Sequence, residues 1–454
     1  MTLPFWTLDR MAEALNGCVT GSRPGGTRAI NGISTDTRQL PEGAAFVALA
    51  GENFDAHDFL PQAVSAGAAA LVVARAARAS GLGVPVFEVR DTLRALGALA
   101  SYRRRAWGNA VLAVTGTNGK TSTKDLMRAA IGSVLEVHAT AGNLNNLVGV
   151  PRTLLDLRDE AEVSVVEMGM NVPGEIARLR DIACPDVAVV TSVGEGHLEG
   201  MGSVDAVLRE KASIFDGIGV AIAPAGQPEI VSEARRRAAR TVTAGLDDGD
   251  LRADRWGIGA DGLGWLELDG VTVRPTLRGV HNLRNAMLAL AAAAECGVSV
   301  ADAARGMAAM PQPSMRLSWE PRGRATLIND AYNANPASMR AAIDLLDALD
   351  TGKQRVAALG SMRELGAHSR RLHEEIARYA LRSSIDVVGG CGEMGEALAA
   401  VGDGDPRVVT APDVEALWRV LEPRLAPDAT ILIKASRGAR LERLVPFIDS
   451  WAKR

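Results

Sequence analysis

The chain has few cysteines and no long apolar run, and these two absences exclude several classes of protein. Its four cysteines are far apart and form no CxxC pair: Cys18, Cys184, Cys296 and Cys391. This spacing excludes a disulfide framework and a paired-cysteine zinc site, so a reducing cytoplasm is the expected compartment. No stretch of about 18 uncharged apolar residues exists, and the N-terminus lacks a signal-peptide pattern. We therefore expect neither membrane insertion nor secretion.

Lysine is also scarce. Only six of the 50 basic residues are lysine, at positions 120, 124, 211, 353, 434 and 453. The chain uses arginine where a positive charge suffices, so each remaining lysine is a candidate for a compact ammonium or a nucleophilic amine. The net charge of −4 argues against a general nucleic-acid binder. An anionic ligand would have to be held by local positive charge.

Apolar strands that alternate with helices dominate the 454 residues that are present. We predict strands at 44–49, 69–74, 84–89, 111–116, 163–169 and 186–194, and strand-plus-turn units within 325–333, 355–361, 384–392 and 429–438. Helices are predicted at 91–106, 120–134 and 281–297. This alternation is typical of parallel sheets covered on both faces. The chain length is typical of about three domains, and two prolines at 310–316 indicate a linker. Together with the alternation, they predict α/β domains at 1–90, 91–313 and 314–454, of which the last is Rossmann-like.

The segment TGTNGKTST (115–123) joins a predicted strand to a predicted helix. Gly116 and Gly119 allow the backbone to curl so that its amides point inward, at a helix N-terminus that favours anions. Lys120 can then reach the β- and γ-phosphates of a nucleotide, and the Thr121 hydroxyl can ligate Mg²⁺. The pattern departs from GxxxxGK[ST], because Val114 stands where the first glycine is expected. A helix merely capped by glycine and threonine is the alternative.

Other polar residues follow the predicted strands of the same domain. Glu167 ends an apolar strand, and ligands collect at the carboxyl ends of strands, so its carboxylate can hold Mg²⁺. His197 follows the next strand, and Lys211 lies on a predicted helix, where exposure to solvent is the ordinary expectation. Asn282 and Asn285 share one helix face, where capping and surface polarity are the alternative roles.

Taken together, the motifs resemble those of the Mur ligases, the amide-forming enzymes of peptidoglycan precursor synthesis. The resemblance begins at TGTNGKTS and covers nearly the whole chain. Its other segments are STDTRQLPEGAAFVALAGENFDAHDFL (34–60), GNLNNLVGVPRTLL (142–155), EMGMNVPGEI (167–176), GEGHLEGMGS (194–203), REKASIF (209–215), GVHNLRNAMLAL (279–290), NDAYNANPASM (329–339), LGSMRELGAHSRRLH (359–373) and LIKASRGARLE (432–442).

The resemblance implies a UDP-binding first domain, a central phosphate-loop ATPase domain and a third domain that closes over ATP. It assigns ATP to Thr115, Gly116, Thr117, Asn118, Gly119, Lys120, Thr121, Ser122, Asn282, Asn285, Arg316 and Asp330. It assigns the UDP-linked substrate to Ser34, Thr35, Thr37, Arg38, Asn53, Phe54, His57, Asn143, Asn145 and Asn146. It assigns the incoming amino-acid substrate to Lys434, Ser436 and Arg437, although Ala435 stands where the family has glycine.

The resemblance also implies a catalytic set of Lys120, Glu167, His197 and Lys211. Two Mg²⁺ ions are expected, with ligands from Thr121, Glu167, His197 and Lys211. In the family this lysine is a carbamate: CO₂ adds to the amine and turns a cation into an anion that bridges metal ions. Arginine could not replace it, because a guanidinium stays protonated and is a poor nucleophile.

Within the family, two segments indicate which substrates are joined. The GN-x-NN-x-x-G-x-P pattern at 142–151 and EMG followed by PGEI resemble the member that adds D-alanyl-D-alanine to UDP-N-acetylmuramoyl-tripeptide, and the DNPR signature of the diaminopimelate-adding member is missing. The expected reaction is ATP-dependent and passes through an acyl phosphate, in a cytoplasmic monomer. A Mur-type ligase that adds the third amino acid and a non-catalytic nucleotide switch are the alternatives.

Overall fold

The computed structural model describes residues 4–21, 23–51, 54–349 and 352–454. Its helices are α1 (Leu8–Ala14), α2 (Leu60–Ser65), α3 (Thr92–Trp107), α4 (Lys120–Ile131), α5 (Gly149–Leu155), α6 (Glu175–Ala183), α7 (Leu198–Met201), α8 (Val204–Ala212), α9 (Pro228–Arg237), α10 (Val280–Glu295), α11 (Val300–Ala308), α12 (Pro336–Ala348), α13 (Ser369–Arg382), α14 (Glu393–Val401), α15 (Val414–Leu421) and α16 (Val445–Trp451). Within these described ranges, none of the helices has the length and apolar character needed to cross a bilayer.

The strands are β1 (Trp6–Thr7), β2 (Ala29–Ile30), β3 (Ile33–Ser34), β4 (Ala45–Val47), β5 (Ala70–Val73), β6 (Val86–Glu88), β7 (Ala110–Thr115), β8 (Val137–Ala139), β9 (Val163–Glu167), β10 (Val187–Val190), β11 (Val220–Pro224), β12 (Arg240–Gly245), β13 (Leu251–Arg252), β14 (Arg255–Ile258), β15 (Gly264–Leu268), β16 (Val271–Val273), β17 (Ser318–Arg322), β18 (Ala325–Asp330), β19 (Arg355–Leu359), β20 (Val387–Cys391), β21 (Val408–Ala411) and β22 (Thr430–Lys434). The predicted α/β class is confirmed.

The chain folds as two compact units, each built from more than one segment of sequence. The first comprises Met1–Ala113, Glu136–Met170 and Gly174–Asp186. The second comprises Val114–Leu135, Asn171–Pro173 and Val187–Arg454. Strand β7 contributes residues to both, because the division falls between Ala113 and Val114.

In the first unit, β3 to β6 form a four-stranded parallel sheet in sequence order. Side chains alternate between its faces: Ala45 and Val47 join one buried cluster, and Phe46 joins the other. Helix α3 covers the first face with Leu96 and Leu99. The sheet is apolar on both sides because both sides are covered, as the sequence predicts.

Helix α3 begins and ends where local chemistry requires. The Asp91 carboxylate accepts from the backbone N–H of Leu93 at 2.8 Å and of Arg94 at 3.1 Å, which satisfies two amides of the first turn. The helix ends before Gly108, whose φ of 82° lies in the left-handed region that terminates many helices.

In the second unit, β10 to β13 pair in parallel, with Val187 opposite Val220 and Val220 opposite Arg240. The alanine-rich helix α10 is buried along most of its length. A three-stranded antiparallel sheet, β14 to β16, lies between these elements in sequence. This sheet is not among the predicted elements. Its β15–β16 turn is Asp269–Gly270, with φ of 51° and 74°, as a tight hairpin of this hand requires.

The last third of the chain forms a six-stranded sheet in the order β17-β18-β22-β19-β20-β21. Only β17 runs antiparallel; the other strands pair in parallel. Asp330 and Leu359 both lie opposite Lys434 in the register. The carboxyl ends of three neighbouring strands therefore meet at one edge, where ligands of open α/β sheets collect.

Candidate active site

The loop between β7 and α4 is too tightly enclosed for side chains at its two glycines. Gly116 has a φ of 154° and Gly119 a φ of 81°. A Cβ atom on Gly116 would lie 1.9 Å from Thr191 Oγ1, and one on Gly119 would lie 2.6 Å from Asn285 Oδ1. Glycine is needed at both positions, for steric reasons as well as for backbone conformation.

Hydrogen bonds from the segment after β10 hold this loop in its curl. The Thr117 N–H donates to Ser192 O at 2.7 Å, and the Asn118 N–H donates to Ser192 Oγ at 3.0 Å. Lys120 Nζ donates back to Gly116 O at 2.8 Å. The ammonium thus lies inside the curl, beside the N-terminus of α4, where a phosphate group would be attracted.

The other predicted nucleotide residues of the loop follow the same path. Thr115 and Thr117 are buried, Thr121 and Ser122 lie in the first turn of α4, and Ser122 is buried. Asn285 lies against Gly119, and its amide donates to Asn282 Oδ1 at 3.1 Å. The structure therefore brings Asn285 to the loop, with Asn282 fixed behind it.

Lys211 is the least expected feature of this site. Its side chain is 0% exposed on α8, and within the part of the chain that the structure describes its Nζ has no hydrogen-bond partner. Burial lowers the pKa of Lys211 well below its ordinary value; nearby Lys120 lowers it further, and Glu210 opposes the shift. The ordinary expectation of a solvent-exposed helix lysine is wrong, because this amine is enclosed and favours its neutral form.

His197 lies beside a carboxylate from the last third of the chain. Its Nδ1 is 2.7 Å from Glu364 Oε2. The contact with His197 holds the pKa of Glu364 below its usual value, and the charge of Lys120 acts in the same direction. The charge of Lys120 thus acts on both Lys211 and Glu364, and Glu364 contacts His197. Glu364 lies inside a quoted motif, but nothing local in the sequence marked it as a site residue.

The phosphate loop also contacts the start of α12. Asn118 and Asn335 exchange two side-chain hydrogen bonds, at 2.7 and 3.2 Å, across a sequence separation of 217 residues. Asn335 also caps α12, where its Oδ1 accepts from the Ser338 N–H at 2.9 Å. The Asn-Pro pair at this helix start is a recognisable cap signal. Its contact with the phosphate loop has no sequence signal.

At the edge of the six-stranded sheet, Lys434 and Asp330 form a buried ion pair with Nζ and Oδ2 2.5 Å apart. Burial raises the pKa of Asp330, and the charge of Lys434 opposes that shift. Nearby, the Arg316 guanidinium lies 4.0 Å from the centre of the Tyr332 ring. Lys434 is therefore committed to an internal pair in this conformation.

The two other residues predicted for the incoming substrate differ from each other. Ser436 is buried; its hydroxyl donates to Ala334 O at 3.0 Å and accepts from the Arg363 N–H at 2.9 Å. Arg437 is exposed, with Nη1 3.4 Å from Glu442 Oε1. Ser436 ties two loops together, whereas the Arg437 side chain faces solvent.

His281, at the start of α10, was not singled out by sequence reasoning. Burial lowers its pKa to about 4, and the charges of Lys434 and Arg284 contribute to the shift. The ring is therefore neutral near pH 7, close to the Asp330–Lys434 pair. The HN dipeptide of the GVHNLRN motif was the available signal.

In the first unit, Glu167 is buried at the end of β9 and is oriented by its neighbours. Its N–H donates to Thr140 Oγ1 at 2.9 Å, and Asn145 Nδ2 donates to Glu167 Oε1 at 2.8 Å. Asn146 Oδ1 accepts from the N–H of Gly149 at 2.8 Å, at the start of α5. Asn143 is exposed. Asn145 and Asn146 thus have structural contacts of their own.

The remaining residues predicted for the UDP-linked substrate lie in two loops of the first unit. Ser34 and Arg38 both contact Asp36, and Thr35 and Thr37 are partly exposed. Phe54 is 58% exposed and stacks on Phe59, with ring centres 5.4 Å apart. Asn53 lies outside the described residues.

His57 differs from these neighbours because it is buried. Its Nδ1 is 2.6 Å from Asp55 Oδ1, and its Nε2 accepts from the Ala74 N–H at 2.9 Å. Both ring nitrogens are therefore used inside the fold.

No group of three or more histidine, cysteine, aspartate or glutamate side chains within the described ranges is placed to hold a metal ion. Unmodified Lys211 cannot act as an oxygen ligand of Mg²⁺, because its side chain ends in an amine. A carbamate on the same nitrogen would supply two carboxylate-like oxygens, the donor type that Mg²⁺ prefers. The residues present thus fit Mg²⁺ when Lys211 is modified.

Taken with the parallel α/β fold, the curl around Lys120 defines a nucleotide-binding protein of the phosphate-loop class. Domain models of one family match it: "Mur ligase family, catalytic domain" at residues 29–104, "Mur ligase middle domain" at 114–293, and "Mur ligase, glutamate ligase domain" at 315–437. The chain belongs to the Mur ligase family. The predicted family is confirmed.

Individual relatives agree with this assignment over nearly the full length. The chain is 35% identical to the UDP-N-acetylmuramoyl-tripeptide–D-alanyl-D-alanine ligase of Bacillus subtilis (strain 168), over 97% of both chains. It is similar in structure to MurF from Acinetobacter baumannii, with a TM-score of 0.89, 31% identity and coverage of 99% and 100% of the two chains. MurF from Thermotoga maritima, solved in complex with ADP, gives a TM-score of 0.81, 27% identity and coverage of 93% and 97%.

Proposed function

We propose that this protein is an ATP-dependent ligase that joins D-alanyl-D-alanine to UDP-N-acetylmuramoyl-tripeptide in peptidoglycan synthesis. The observation that carries the proposal is the enclosed amine of Lys211 beside the phosphate-loop ammonium of Lys120. A nucleotide switch does not need a buried, modifiable amine next to its phosphates. The substrates are supported by the names of full-length relatives and by the GNLNN segment.

The domain roles follow the predicted limits. Residues 1–90 would bind the UDP part of the substrate, with Phe54 as the exposed aromatic surface. Residues 91–313 would hold ATP on the 115–122 loop. Residues 314–454 would contribute Arg316, Asp330, Lys434, Ser436 and Arg437 to ATP and the incoming dipeptide. We further propose that one chain suffices, since the loop, His197 and Lys211 are neighbours within it.

Lys211 is proposed to act as a carbamate. Its neutral amine attacks CO₂, an N–C bond forms, one C–O electron pair moves onto oxygen, and the nitrogen loses a proton. Because burial and Lys120 lower its pKa, the nucleophilic neutral form of Lys211 is more populated than that of an exposed lysine. The product is an anion near the positive charge of Lys120, so modification adds an attraction that the neutral amine lacks.

We propose Thr121, His197 and carbamylated Lys211 as ligands of Mg²⁺. Glu167, at the end of β9, is proposed as a Mg²⁺ ligand in its own right, and two ions are proposed in total. When bound, the ions would neutralise charge on the phosphates and orient the γ-phosphoryl group. The carboxylate of Glu167 already has an orienting contact from Asn145. Backbone amides of residues 116–120 and the ammonium of Lys120 would hold the β- and γ-phosphates.

Two displacements complete the proposed reaction. An oxygen of the tripeptide carboxylate attacks the γ-phosphorus, the bond to the β–γ bridging oxygen breaks, and ADP leaves. The amine of D-alanyl-D-alanine then attacks the acyl carbon, loses a proton, and inorganic phosphate departs as the amide forms. Lys120 stabilises charge in the first step, and most of the rate enhancement comes from positioning. Because the reaction consumes ATP, we propose a cytoplasmic location.

A product assay tests the proposal. Purified protein would be given ATP, Mg²⁺, D-alanyl-D-alanine and UDP-N-acetylmuramoyl-peptides of two or three residues, with products identified by mass spectrometry. We expect amide formation only with the tripeptide, one ADP released per bond, and no product with Lys120→Ala. A preference for the dipeptide with a free amino acid would identify a ligase that adds the third residue. ATP binding without turnover on any acceptor would indicate a switch.

A further inference from the structure

His373 on α13 is buried, and the backbone groups around its ring fit a single tautomer. The residue is 1% exposed. The Met362 N–H, which can only donate, lies 2.9 Å from Nε2. The Ser369 carbonyl oxygen, which can only accept, lies 2.8 Å from Nδ1. Nε2 therefore carries the lone pair and Nδ1 carries the hydrogen, because no other form of the imidazole satisfies both partners.

The N–H bonded to this ring belongs to the 360–366 loop, which follows β19 and is tied to the edge of the six-stranded sheet. The Gly360 N–H donates to Lys434 O at 2.9 Å. The Arg363 N–H donates to Ser436 Oγ at 2.9 Å. Lys434 and Ser436 are two of the residues predicted for the incoming substrate, so the position of this loop affects where they lie.

The far end of the same loop packs closely on the segment that follows His197. The Glu199 N–H donates to Glu364 O at 3.0 Å. At Gly366, with φ of 55°, an added Cβ would lie 3.2 Å from Glu199 Cα. The loop is thus held at both ends by parts of the candidate site, and the ring of α13 holds its middle.

The charged groups around the ring come from the loop and from α14. Glu393 Oε2 lies 3.9 Å from the ring Nδ1 and also accepts a hydrogen bond from the Ser369 hydroxyl. Burial lowers the pKa of His373, and Arg363 contributes in the same direction, while the Ser369 carbonyl, Glu393 and Glu396 oppose the shift. The ring is therefore neutral near pH 7.

Protonation would place a second N–H, on Nε2, opposite the Met362 N–H, and two donors cannot hydrogen-bond to each other. We propose that neutral His373 is a positioning residue of the ligase: its Nε2 lone pair holds the 360–366 loop against Lys434 and Ser436, and protonation of the ring releases the loop. This inference rests on the proposed function for the role of Lys434 and Ser436 toward the incoming dipeptide, not for the position of the loop.

The test uses the full-length variants His373→Gln and His373→Asn, whose amides differ in reach. The longer amide places an oxygen near the position of Nε2, where it can accept the Met362 N–H without titrating. The shorter amide does not reach Met362. His138→Gln is the matched control, because His138 lies in the first unit, contacts Thr153 O at 2.8 Å through Nε2, and likewise has a pKa lowered by burial.

The first readout is hydrogen exchange of the 360–366 loop, measured by mass spectrometry relative to the β14–β16 sheet. Near pH 7, His373→Asn should speed loop exchange about three- to tenfold, as expected for one lost hydrogen bond, whereas His373→Gln and His138→Gln should match wild type. As the pH falls through the lowered pKa of His373, relative loop exchange in wild type should rise toward that of His373→Asn. His373→Gln should show no such rise.

The second readout is the KM for D-alanyl-D-alanine, which should rise about three- to tenfold in His373→Asn and return toward the wild-type value in His373→Gln. The KM for ATP should change less. Unchanged loop exchange in His373→Asn would overturn the inference, and so would faster exchange spread over the whole six-stranded sheet or an unchanged KM for the dipeptide.

The two readouts separate this inference from the proposed function. If wild type does not turn over the dipeptide, the proposed function fails, while loop exchange still decides whether His373 holds the loop. If His373→Asn does not fold, the pH dependence of loop exchange in His373→Gln and wild type decides, and the same pH dependence in both would overturn the inference.

Discussion

At the scale of single residues, the site depends on what burial does to an amine. Moving an ammonium out of water costs several kcal/mol, and the positive charge of Lys120 adds to that cost for Lys211. The neutral amine avoids most of this free-energy cost. A lysine in this position is therefore poorly suited to ion pairing and well suited to nucleophilic modification.

Lys211 variants should separate stability from activity. Lys211→Met fills the cavity without a polar atom, so thermal unfolding should occur at or above the wild-type temperature, while turnover is lost. Lys211→Ala should also be inactive, and acetate at matched ionic strength should restore part of its rate by entering the space as a small anion. Lys211→Arg should resist rescue, because it fills that space with a fixed cation. Full activity of Lys211→Ala without acetate would rule out the carbamate.

A different effect is expected for Lys120, because its ammonium faces the phosphate position. Lys120→Ala should lower kcat on the order of a hundredfold or more, as expected when one stabilising charge is removed from a transition state. Circular dichroism should show an intact fold. Lys453→Ala, which removes an exposed lysine, is the control and should keep wild-type turnover. Near-normal kcat in Lys120→Ala would contradict the phosphate-loop assignment.

At the scale of elements, the start of α12 has two roles that can be tested separately. Asn335 caps the helix and also pairs with Asn118 of the phosphate loop. Capping concerns stability, because it satisfies amides of the first helical turn. The pair with Asn118 concerns nucleotide binding, because it fixes a residue of the loop.

Asn335→Ala should lower the free energy of unfolding by about 1 kcal/mol through loss of the cap. Asn335→Ser keeps a capping hydroxyl, so it should cost much less. Both variants lose the pair with Asn118, and both should weaken binding of an ATP analogue about three- to tenfold, as expected for lost hydrogen bonds. Calorimetric unfolding and binding titration measure the two effects. If Asn335→Ser binds the analogue like wild type, the pair has no role in nucleotide binding.

At the scale of the molecule, five distant segments of the second unit share one contact network. Residues 115–122 bond to the start of α12, which bonds through Ala334 to Ser436. The loop of Glu364 bonds to Lys434 and Ser436 and to residues 197–201. A ligand held by residues 115–122 should therefore stabilise the other segments.

Hydrogen exchange should reveal this coupling. At about 100 times its Kd, a bound ATP analogue stabilises the protein by about 2.7 kcal/mol, so amide exchange through openings that release it slows by up to about a hundredfold. We expect slower amide exchange in residues 115–122, 194–202, 333–336 and 360–366. The β14–β16 sheet serves as the internal control and should exchange as before. Slowing confined to 115–122 would show that the segments are energetically independent.

Prediction from the sequence worked best where the determining interactions are local. The turn at Gly116 and Gly119, the helix predicted at 91–106 and the apolar strands all depend on residues a few positions apart. The β14–β16 sheet was missed although its Asp269–Gly270 turn is also a local signal. The hairpin was therefore predictable from the sequence.

The sequence by itself determined the Mur ligase family, the α/β class, the strand–loop–helix of the phosphate loop and the candidate lysines. Tertiary structure alone decided that Lys211 is enclosed, with no hydrogen-bond partner for its amine among the described residues. It also decided that Asn118 pairs with Asn335 and that Glu364 contacts His197. The physical reason is that burial and hydrogen bonding between distant segments depend on which surfaces the fold brings together. Neither a residue's type nor its immediate neighbours specify that, so an exposed and an enclosed helix lysine look alike in sequence.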